Sequence, residues 1–204
     1  MLHYMTGHDG GLAVRLGQRI QEARLARKWT LDQMAAASSV SRRMIVMVEK
    51  GQTNPSVTTL LRLSDALGIG LPTLVAERNG VPASLTRAGN GTPLWTSEQG
   101  GSGVLLAGTP SPDVLELWTW TLQPLDIHES PAHAPGTQEI LHVSAGAVTL
   151  KTGLDTVELA VGDTYAFDGD QRHSYANTSD HQATFTLAVF EPDVGTKSAR
   201  EEPS

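Results

Sequence analysis

TLDQMAAASSVSRRMIVMVEKGQTNPS occupies residues 30–56 and contains the cap and turn signals of consecutive short helices. Thr30 and Gln33 form a capping box, which starts one helix because each side chain accepts a hydrogen bond from the other residue's backbone N–H. Ser41 caps a second helix, which ends near Gly51, a residue free to adopt positive φ. Two short helices joined by a turn of about three residues predict a helix-turn-helix.

The surrounding residues extend this motif to a small helical domain. Pro55 and Ser56 begin a further helix, in which leucines recur at helical spacing. These leucines are Leu60, Leu61, Leu63 and Leu67. Together with a first helix before the motif, residues 14–75 predict an all-α bundle of five helices.

This domain resembles the XRE (xenobiotic-response-element, phage-repressor-like) family of helix-turn-helix domains. The residues that carry the resemblance are Thr30, Ala35, Val40, Ser41, Ile45, Glu49, Gly51, Asn54, Pro55, Leu60 and Leu67. The sequence departs from the family at two positions. Ser39 stands where the family usually has Gly, which predicts a slightly strained turn, and Leu31 stands where many members place a phosphate-binding Gln.

The second helix of the motif is expected to read DNA. Its N-terminal part enters the major groove, where an arginine can donate two hydrogen bonds to guanine. Arg42 and Arg43 begin this helix, and Met47 lies one turn further on; the alternative is that these are ordinary surface residues. Residues after the helix would contact phosphates. The predicted DNA-binding residues are Thr30, Ser41, Arg42, Arg43, Met47, Lys50, Gln52, Thr53 and Asn54.

Charge divides the chain into two halves. Residues 1–80 contain 10 Lys and Arg against 6 Asp and Glu, whereas residues 81–204 contain 5 against 16. A basic half can dock on phosphates while the acidic half points away from the duplex. Five basic side chains are expected to extend the positive face of the first helix: Arg15, Arg19, Arg24, Arg27 and Lys28.

Composition limits the class of protein. The chain has no cysteine, which excludes disulfides and thiolate metal sites. No apolar run approaches the ~20 residues that span a bilayer. Residues 1–11 lack the basic start and apolar core of a signal peptide. We therefore expect a cytoplasmic protein with no membrane partner.

The second half predicts a separate all-β domain. Its short apolar runs are divided by Gly and Pro, and some alternate in polarity as half-buried strands do. Many short strands without helical period indicate a sandwich or barrel. The expected boundaries are a flexible arm at 1–10, the helix-turn-helix domain at 11–78, a linker at 79–92, the β domain at 93–192 and a disordered tail at 193–204.

Two segments of this domain resemble the paired motifs of the cupin family. They are HAPGTQE at 133–139 followed by Gly146, and GD at 162–163 with FD at 167–168, His173 and Asn177. The resemblance implies a jelly-roll β-barrel in which residues of both motifs surround a metal. Pro135 stands where the family has its second His, so three ligands remain: His133, Glu139 and His173.

Two imidazoles and one carboxylate can hold Fe(II), Mn(II), Ni(II) or Zn(II) and leave coordination positions open. The same side chains can instead form a hydrogen-bonded pocket without metal. His142 should point to the opposite strand face from Glu139, and His128 lies outside the motif. A small barrel also accommodates one small ligand. The residues expected to line an effector pocket are Trp118, Trp120, Leu141, Tyr165, Phe167 and Tyr175.

The two domains together resemble bacterial regulators that join a phage-repressor-type helix-turn-helix to a C-terminal cupin. The resemblance implies a non-enzymatic, sequence-specific transcription regulator whose cupin domain binds a small-molecule effector and supports dimerisation. Separately, one small helix-turn-helix makes too few contacts for tight binding, so we expect a homodimer on an operator with two half-sites. The alternative is a cupin metalloenzyme, a non-haem iron oxidoreductase similar to the hydroxypropylphosphonate epoxidase, with iron on the same three ligands. Arg42 and Arg43, which an enzyme does not need, favour the regulator.

Overall fold

The computed structural model describes residues 9–75 and 85–195. These fall into two compact units, separated between Asn79 and Gly80. Most of the predicted arm and tail and part of the predicted linker lie outside the described residues. The first helix begins at Asp9 and the first strand at Thr92, so regular structure reaches into both the predicted arm and the predicted linker.

Five helices form the first unit, as predicted. They are α1 Asp9–Ala26, α2 Leu31–Ser38, α3 Arg42–Glu49, α4 Val57–Leu67 and α5 Leu71–Val75. Thr30 and Gln33 make both hydrogen bonds of the capping box. Ser41 and Ser56 each accept a bond from the backbone N–H three residues later. The core consists of side chains with almost no exposure, among them Ile20, Met34, Ile45, Leu60, Leu63, Leu67 and Leu74.

Two backbone features fix the position of α3. Ser39, in the turn before it, has φ 54° and ψ 27°, a left-handed conformation that costs a serine more free energy than a glycine. Gly17 on α1 lies against the end of α3, and a Cβ there would collide with the carbonyl oxygen of Val48. The close approach of α1 and the turn at Ser39 together determine which face of α3 is exposed.

Within residues 85–195, ten strands give the second unit the predicted jelly-roll architecture. They are β1 Thr92–Thr96, β2 Ser102–Gly108, β3 Val114–Leu122, β4 Ile127–Ser130, β5 Gln138–Ala145, β6 Ala147–Thr152, β7 Asp155–Ala160, β8 Thr164–Asp168, β9 His173–Ala176 and β10 Ala183–Glu191. A six-stranded sheet has the order β1-β2-β3-β10-β5-β8, and a four-stranded sheet has the order β4-β9-β6-β7. Large side chains fill the space between the sheets: Trp118, Trp120, Leu141, Leu150, Tyr175 and Phe185.

Strand β3 shows which of its two faces points inward. Its alternation places Glu116, Trp118 and Trp120 on one face and Leu115 and Leu117 on the other. The face with the tryptophans is buried, because two indole rings remove more apolar area from water than two leucines do. A glutamate is thereby carried into the barrel, while two leucines remain exposed on the outside.

Candidate metal centre and nucleic-acid interface

The barrel brings together the three predicted metal ligands. Glu139 comes from β5, His173 from β9 in the opposite sheet, and His133 from the loop before β5. Glu139 Oε1 lies 3.2 Å from His133 Nε2 and 3.3 Å from His173 Nε2. One ligand atom from each side chain lies within 4.8 Å of the others.

The hydrogen bonding of His173 leaves a lone pair facing Glu139. Its Nδ1 lies 2.9 Å from the carbonyl oxygen of Gln171, and only a protonated nitrogen can donate there. Burial lowers the pKa of His173, so the ring is neutral and its Nε2 is an acceptor. Among the described residues, nothing donates a hydrogen bond to His173 Nε2, and Glu139 Oε1 has only the His133 imidazole, 3.2 Å away, as a donor. Two buried acceptors that face each other are the arrangement that a bound cation satisfies.

The two distances to Glu139 Oε1 also fit ligands of one ion. Nitrogen and oxygen ligands about 2.1 Å from a common metal lie ~3.0–3.4 Å apart in octahedral or tetrahedral geometry. The distances of 3.2 and 3.3 Å fall within this range. The donation from His173 to a backbone carbonyl is the outer contact that usually orients a metal-binding histidine. The donor set is therefore one that can hold a divalent metal.

Neighbouring residues hold the cluster in place. Tyr175 donates a hydrogen bond to Glu139 Oε2. Gly169 leaves room for the Glu139 carboxylate, since a Cβ at Gly169 would lie 2.6 Å from Oε1. The backbone N–H of His133 donates to the carbonyl of Gly169. Pro135 is exposed and contributes no ligand, in agreement with a set of three.

The charges of the cluster support one another. Burial lowers the pKa of His133, but its hydrogen bond to Glu139 and the charges of Glu139, Glu191 and Glu116 outweigh burial and raise it. Burial raises the pKa of Glu139, but its hydrogen bond with His133 and the nearby histidines outweigh burial and lower it. Glu139 is therefore an anion at neutral pH, as a metal-binding carboxylate must be.

The sequence interpretation did not include two further carboxylates inside the barrel. Glu116 and Glu191 are buried, and Glu191 Oε1 lies 4.0 Å from His133 Nδ1. Trp118 Nε1 donates to Glu116 Oε2 at 2.8 Å. Burial, with the charge of Glu191, raises the pKa of Glu116 to about 8. The signal was present in the sequence, since alternation places Glu116 on the same strand face as the tryptophans.

Replacing Glu116 by Gln should change the pH dependence of stability. A carboxyl group whose pKa is raised on folding contributes its full stabilisation at pH values below the pKa that it has in the unfolded chain. This contribution is lost as pH rises towards about 8. Glu116→Gln should therefore gain about 2 kcal/mol relative to the parent between pH 5.5 and pH 7.5. Urea unfolding followed by tryptophan fluorescence at each pH measures this difference. Parallel pH profiles for the two proteins would contradict it.

The predicted effector-pocket residues are distributed over the barrel interior. Trp118, Trp120, Leu141 and Tyr175 are buried, and Tyr165 and Phe167 are half-buried. His128 is also buried, on β4, with its ring 4.6 Å from that of Trp120. Burial, assisted by the charge of His173, lowers the pKa of His128 to about 4. His142 lies on the outer face and bonds to Thr164, as strand alternation predicted.

Helix α3 exposes the residues expected to contact DNA. Ile45 and Val48 are buried, whereas Arg42 and Arg43 are exposed at its N-terminus. Arg42 Nε lies 3.4 Å from Asp32 Oδ1, an exposed pair that DNA phosphates can replace. Met47 and Thr53 are half-buried, and the remaining predicted contacts are exposed: Thr30, Ser41, Lys50, Gln52 and Asn54.

Two arginines of α1 do not belong to the expected positive face. Arg24 is buried, and its guanidinium binds the Glu49 carboxylate through two contacts of 2.6 and 2.9 Å. Arg24 also donates to the carbonyl of Trp29 at 2.9 Å. Arg19 donates to the carbonyl of Leu74, at the end of α5. The spacing of basic residues could not reveal that a carboxylate at the end of α3 neutralises Arg24.

Comparison with known proteins identifies both units. Residues 20–74 match the helix-turn-helix family model, and residues 118–190 match the cupin domain model. HTH-type transcriptional regulator SutR of Escherichia coli (strain K12) is 25% identical over 183 residues, which cover 89% of this chain and 97% of that protein. The chain therefore carries an XRE-type helix-turn-helix domain followed by a cupin domain, and its relatives with this domain order are transcription regulators.

Two further relatives extend the comparison of this regulator. An HTH_3 family transcriptional regulator from Vibrio cholerae has the same fold, with a TM-score of 0.69 and 23% identity, covering 90% of this chain and 99% of that one. The immunity repressor protein of Bacillus phage phi105 is 39% identical over 62 residues, which cover 30% of this chain and 43% of that protein. Within the described residues, no helix is long and apolar enough to cross a membrane.

Proposed function

We propose that this regulator binds a specific operator as a homodimer, and that a metal-containing cupin domain links DNA affinity to a small-molecule effector. The observation that carries the proposal is the face of α3, which presents two exposed arginines at its N-terminus while Ile45 and Val48 are buried on the opposite face. In helix-turn-helix proteins, the exposed N-terminal turn of the second helix enters the major groove, and basic side chains there can contact base edges.

The exposed residues divide into base-reading and phosphate-binding roles. Arg42 and Arg43 are long enough to reach base edges, where each bidentate contact to guanine discriminates by ~1–3 kcal/mol. The Thr30 and Ser41 hydroxyls accept helix-capping bonds and can still donate to phosphate oxygens. Lys50, Gln52, Thr53 and Asn54 follow α3 and would fix its register on the backbone.

Arg42→Ala should weaken operator binding by ~1–3 kcal/mol and relax preference at one base pair. Asp32→Ala is the matched control, because it removes the exposed partner of Arg42 and keeps the arginine. Fluorescence anisotropy against the operator and single-base variants measures both effects. Equal losses on all DNA sequences would reduce Arg42 to a phosphate contact.

The homodimer follows from the size of the reading unit. One α3 helix contacts only a few base pairs, and two helices related by a two-fold axis read half-sites about one DNA turn apart. The net charge of the second unit has the same sign as that of DNA, so this unit is repelled by the duplex. It is therefore the part of the chain that is available to join two copies.

The proposed metal is held by His133, Glu139 and His173, and Fe, Mn, Ni or Zn suits this set. The support is the pair of buried acceptors, Glu139 Oε1 and His173 Nε2, described above. A metal with three protein ligands supplies open positions that a small effector can occupy. Trp118, Trp120 and Tyr175 lie on the same interior surface and would contact its apolar part. An effector changes operator affinity only if its affinity for the DNA-competent arrangement of the protein differs from its affinity for the other arrangement.

Isothermal titration of the purified regulator with Mn²⁺ or Zn²⁺, with and without operator DNA, tests the link between the sites. Thermodynamic linkage requires that, if metal changes the affinity for DNA by some factor, DNA changes the affinity for metal by the same factor. We expect the metal-loaded and metal-free forms to differ in operator affinity. Identical affinities would leave the metal without a role in regulation.

A further inference from the structure

The outer face of the six-stranded sheet carries a continuous apolar surface, which we call the outer patch. Leu115, Leu117, Ile140 and Phe190 are between 39% and 50% exposed on it. The strand register makes them neighbours: Phe190 pairs with Leu115, and Ala188 lies between Leu117 and Ile140. Large apolar side chains clustered on one sheet face mark an interaction surface more often than scattered ones do.

The outer patch has shape as well as apolarity. A groove of about 360 Å³ opens on it, lined by apolar residues together with Gln138, Asp168 and the buried Glu139. The apolar lining residues include Leu115, Ile140, Ala166, Ala188, Phe167 and Phe190. A groove beside the exposed Leu117 gives the surface both a concave and a convex part, which self-association requires.

The charge of the face selects the kind of partner. Along β3, β10, β5 and β8, the described outward positions contain one carboxylate, Asp168 at the edge, and no lysine or arginine. The outer face of the four-stranded sheet, by contrast, exposes Glu129, Lys151 and Glu158. Residues 81–204 contain 16 acidic against 5 basic residues, so two copies of this unit repel each other except where the carboxylates are missing.

The area of the face is adequate for a stable dimer. Strands β3 and β10 have nine residues, β5 has eight and β8 has five, so at ~3.3 Å per residue and ~4.8 Å between strands they give a face of roughly 500 Å². A standard interface buries ~800 Å² on each partner, which the face reaches together with β1, β2 and the loop rim. An apolar centre surrounded by threonine and glutamine side chains is also the usual anatomy of an interface.

We propose that the outer patch is the homodimer interface, and that two copies pack six-stranded sheet against six-stranded sheet about a two-fold axis. The occupant is a second copy, because an apolar surface with one carboxylate at its edge offers no positive charge to DNA and little negative charge to a basic partner. The proposal rests on the homodimer of the proposed function and adds the surface that forms it.

Ile140→Glu tests the surface, with Ile127→Glu as the matched control. Both isoleucines are exposed strand residues, 50% and 60%, but Ile127 lies on the outer face of the other sheet. Analytical ultracentrifugation should show the dimer dissociation constant raised at least ~30-fold by Ile140→Glu, the size of an interface hot spot. Ile127→Glu should leave it unchanged. Leu117→Glu repeats the test at a second position, and circular dichroism confirms that each variant is folded.

Chemical crosslinking gives a positive readout in the same protein. The chain has no cysteine, so Ala188→Cys introduces a single thiol at the centre of the outer patch. Packed sheets lie ~10 Å apart, which exceeds the reach of a disulfide but suits a short bismaleimide. We expect Ala188→Cys to form crosslinked dimers and Leu154→Cys, on an exposed turn of the other sheet, to remain monomeric in gels.

The outcomes distinguish failure of the proposed interface from failure of the homodimer itself. A parent protein that sediments as a monomer would overturn the homodimer and the interface together. A dimeric parent whose Ile140→Glu variant stays dimeric, and whose Ala188→Cys variant does not crosslink, would overturn the outer patch alone. The homodimer would then stand with another interface.

Discussion

Glu139→Gln should abolish tight divalent-metal binding by the regulator. The substitution keeps the side-chain shape but removes the anionic ligand between His133 and His173. Outer-contact changes already weaken metal sites 10–100-fold, so loss of a ligand should lower affinity by more than ~100-fold. Titration with Mn²⁺ or Zn²⁺, and metal content after dialysis, measure the loss. His173→Ala should give the same result.

Glu116→Gln is the control for this experiment. Glu116 is an equally buried glutamate of the same barrel, and the same chemical change there leaves the three ligands in place. It should retain the metal stoichiometry of the parent. If Glu139→Gln binds metal as the parent does, the three-ligand site is wrong, and the cluster is a polar network without metal.

Glu49→Ala should destabilise the helical unit by about 3–5 kcal/mol. The Arg24 and Glu49 side chains are 9% and 6% exposed, and removal of the carboxylate leaves a buried guanidinium without its two strongest bonds. Because Glu49 ends α3 and Arg24 lies on α1, the change should also loosen the reading helix. Chemical unfolding followed by circular dichroism at 222 nm measures the stability.

Asp32→Ala again supplies the matched comparison. It breaks the pair between Asp32 and Arg42, whose side chains are 75% and 63% exposed, and should change stability by less than ~1 kcal/mol. Arg24→Met combined with Glu49→Leu removes both buried charges and should recover most of the lost stability. A Glu49→Ala variant as stable as Asp32→Ala would mean that water reaches and solvates Arg24.

The helical unit could be predicted closely from sequence because its signals are local. The capping box of Thr30 and Gln33 and the cap at Ser41 each depend on residues three positions apart. The ion pair of Arg24 with Glu49 could not be predicted, since it joins two helices distant in sequence. Charge counting therefore overestimated the positive face of α1.

The cupin unit shows a second limit of sequence patterns. The resemblance of the motifs predicted that His133, Glu139 and His173 lie close together, and the structure places them so. Strands β4 and β9 give little signal in the sequence, because each has only four residues and few of them are apolar. Alternation in β3 separated its two faces but did not show that Glu116 lies inside the barrel and Leu117 outside. Which face is buried depends on the strands that pack against it.

The proposed metal-binding regulator and the alternative iron oxidoreductase would use the same three ligands but differ in what α3 does. A regulator needs Arg42 and Arg43 exposed and competent to bind DNA. An enzyme needs turnover at the cupin site and has no requirement for an operator. DNA binding is therefore the property that separates them most directly.

Anisotropy of labelled DNA from upstream of the regulator's own gene, compared with scrambled DNA at two salt concentrations, tests the central claim. We expect the upstream sequence to bind at least ~1,000-fold more tightly than scrambled DNA, and both affinities to fall steeply as salt rises. Equal affinity for the two sequences, or no binding to either, would contradict operator recognition and direct the search to iron-dependent turnover in the cupin domain.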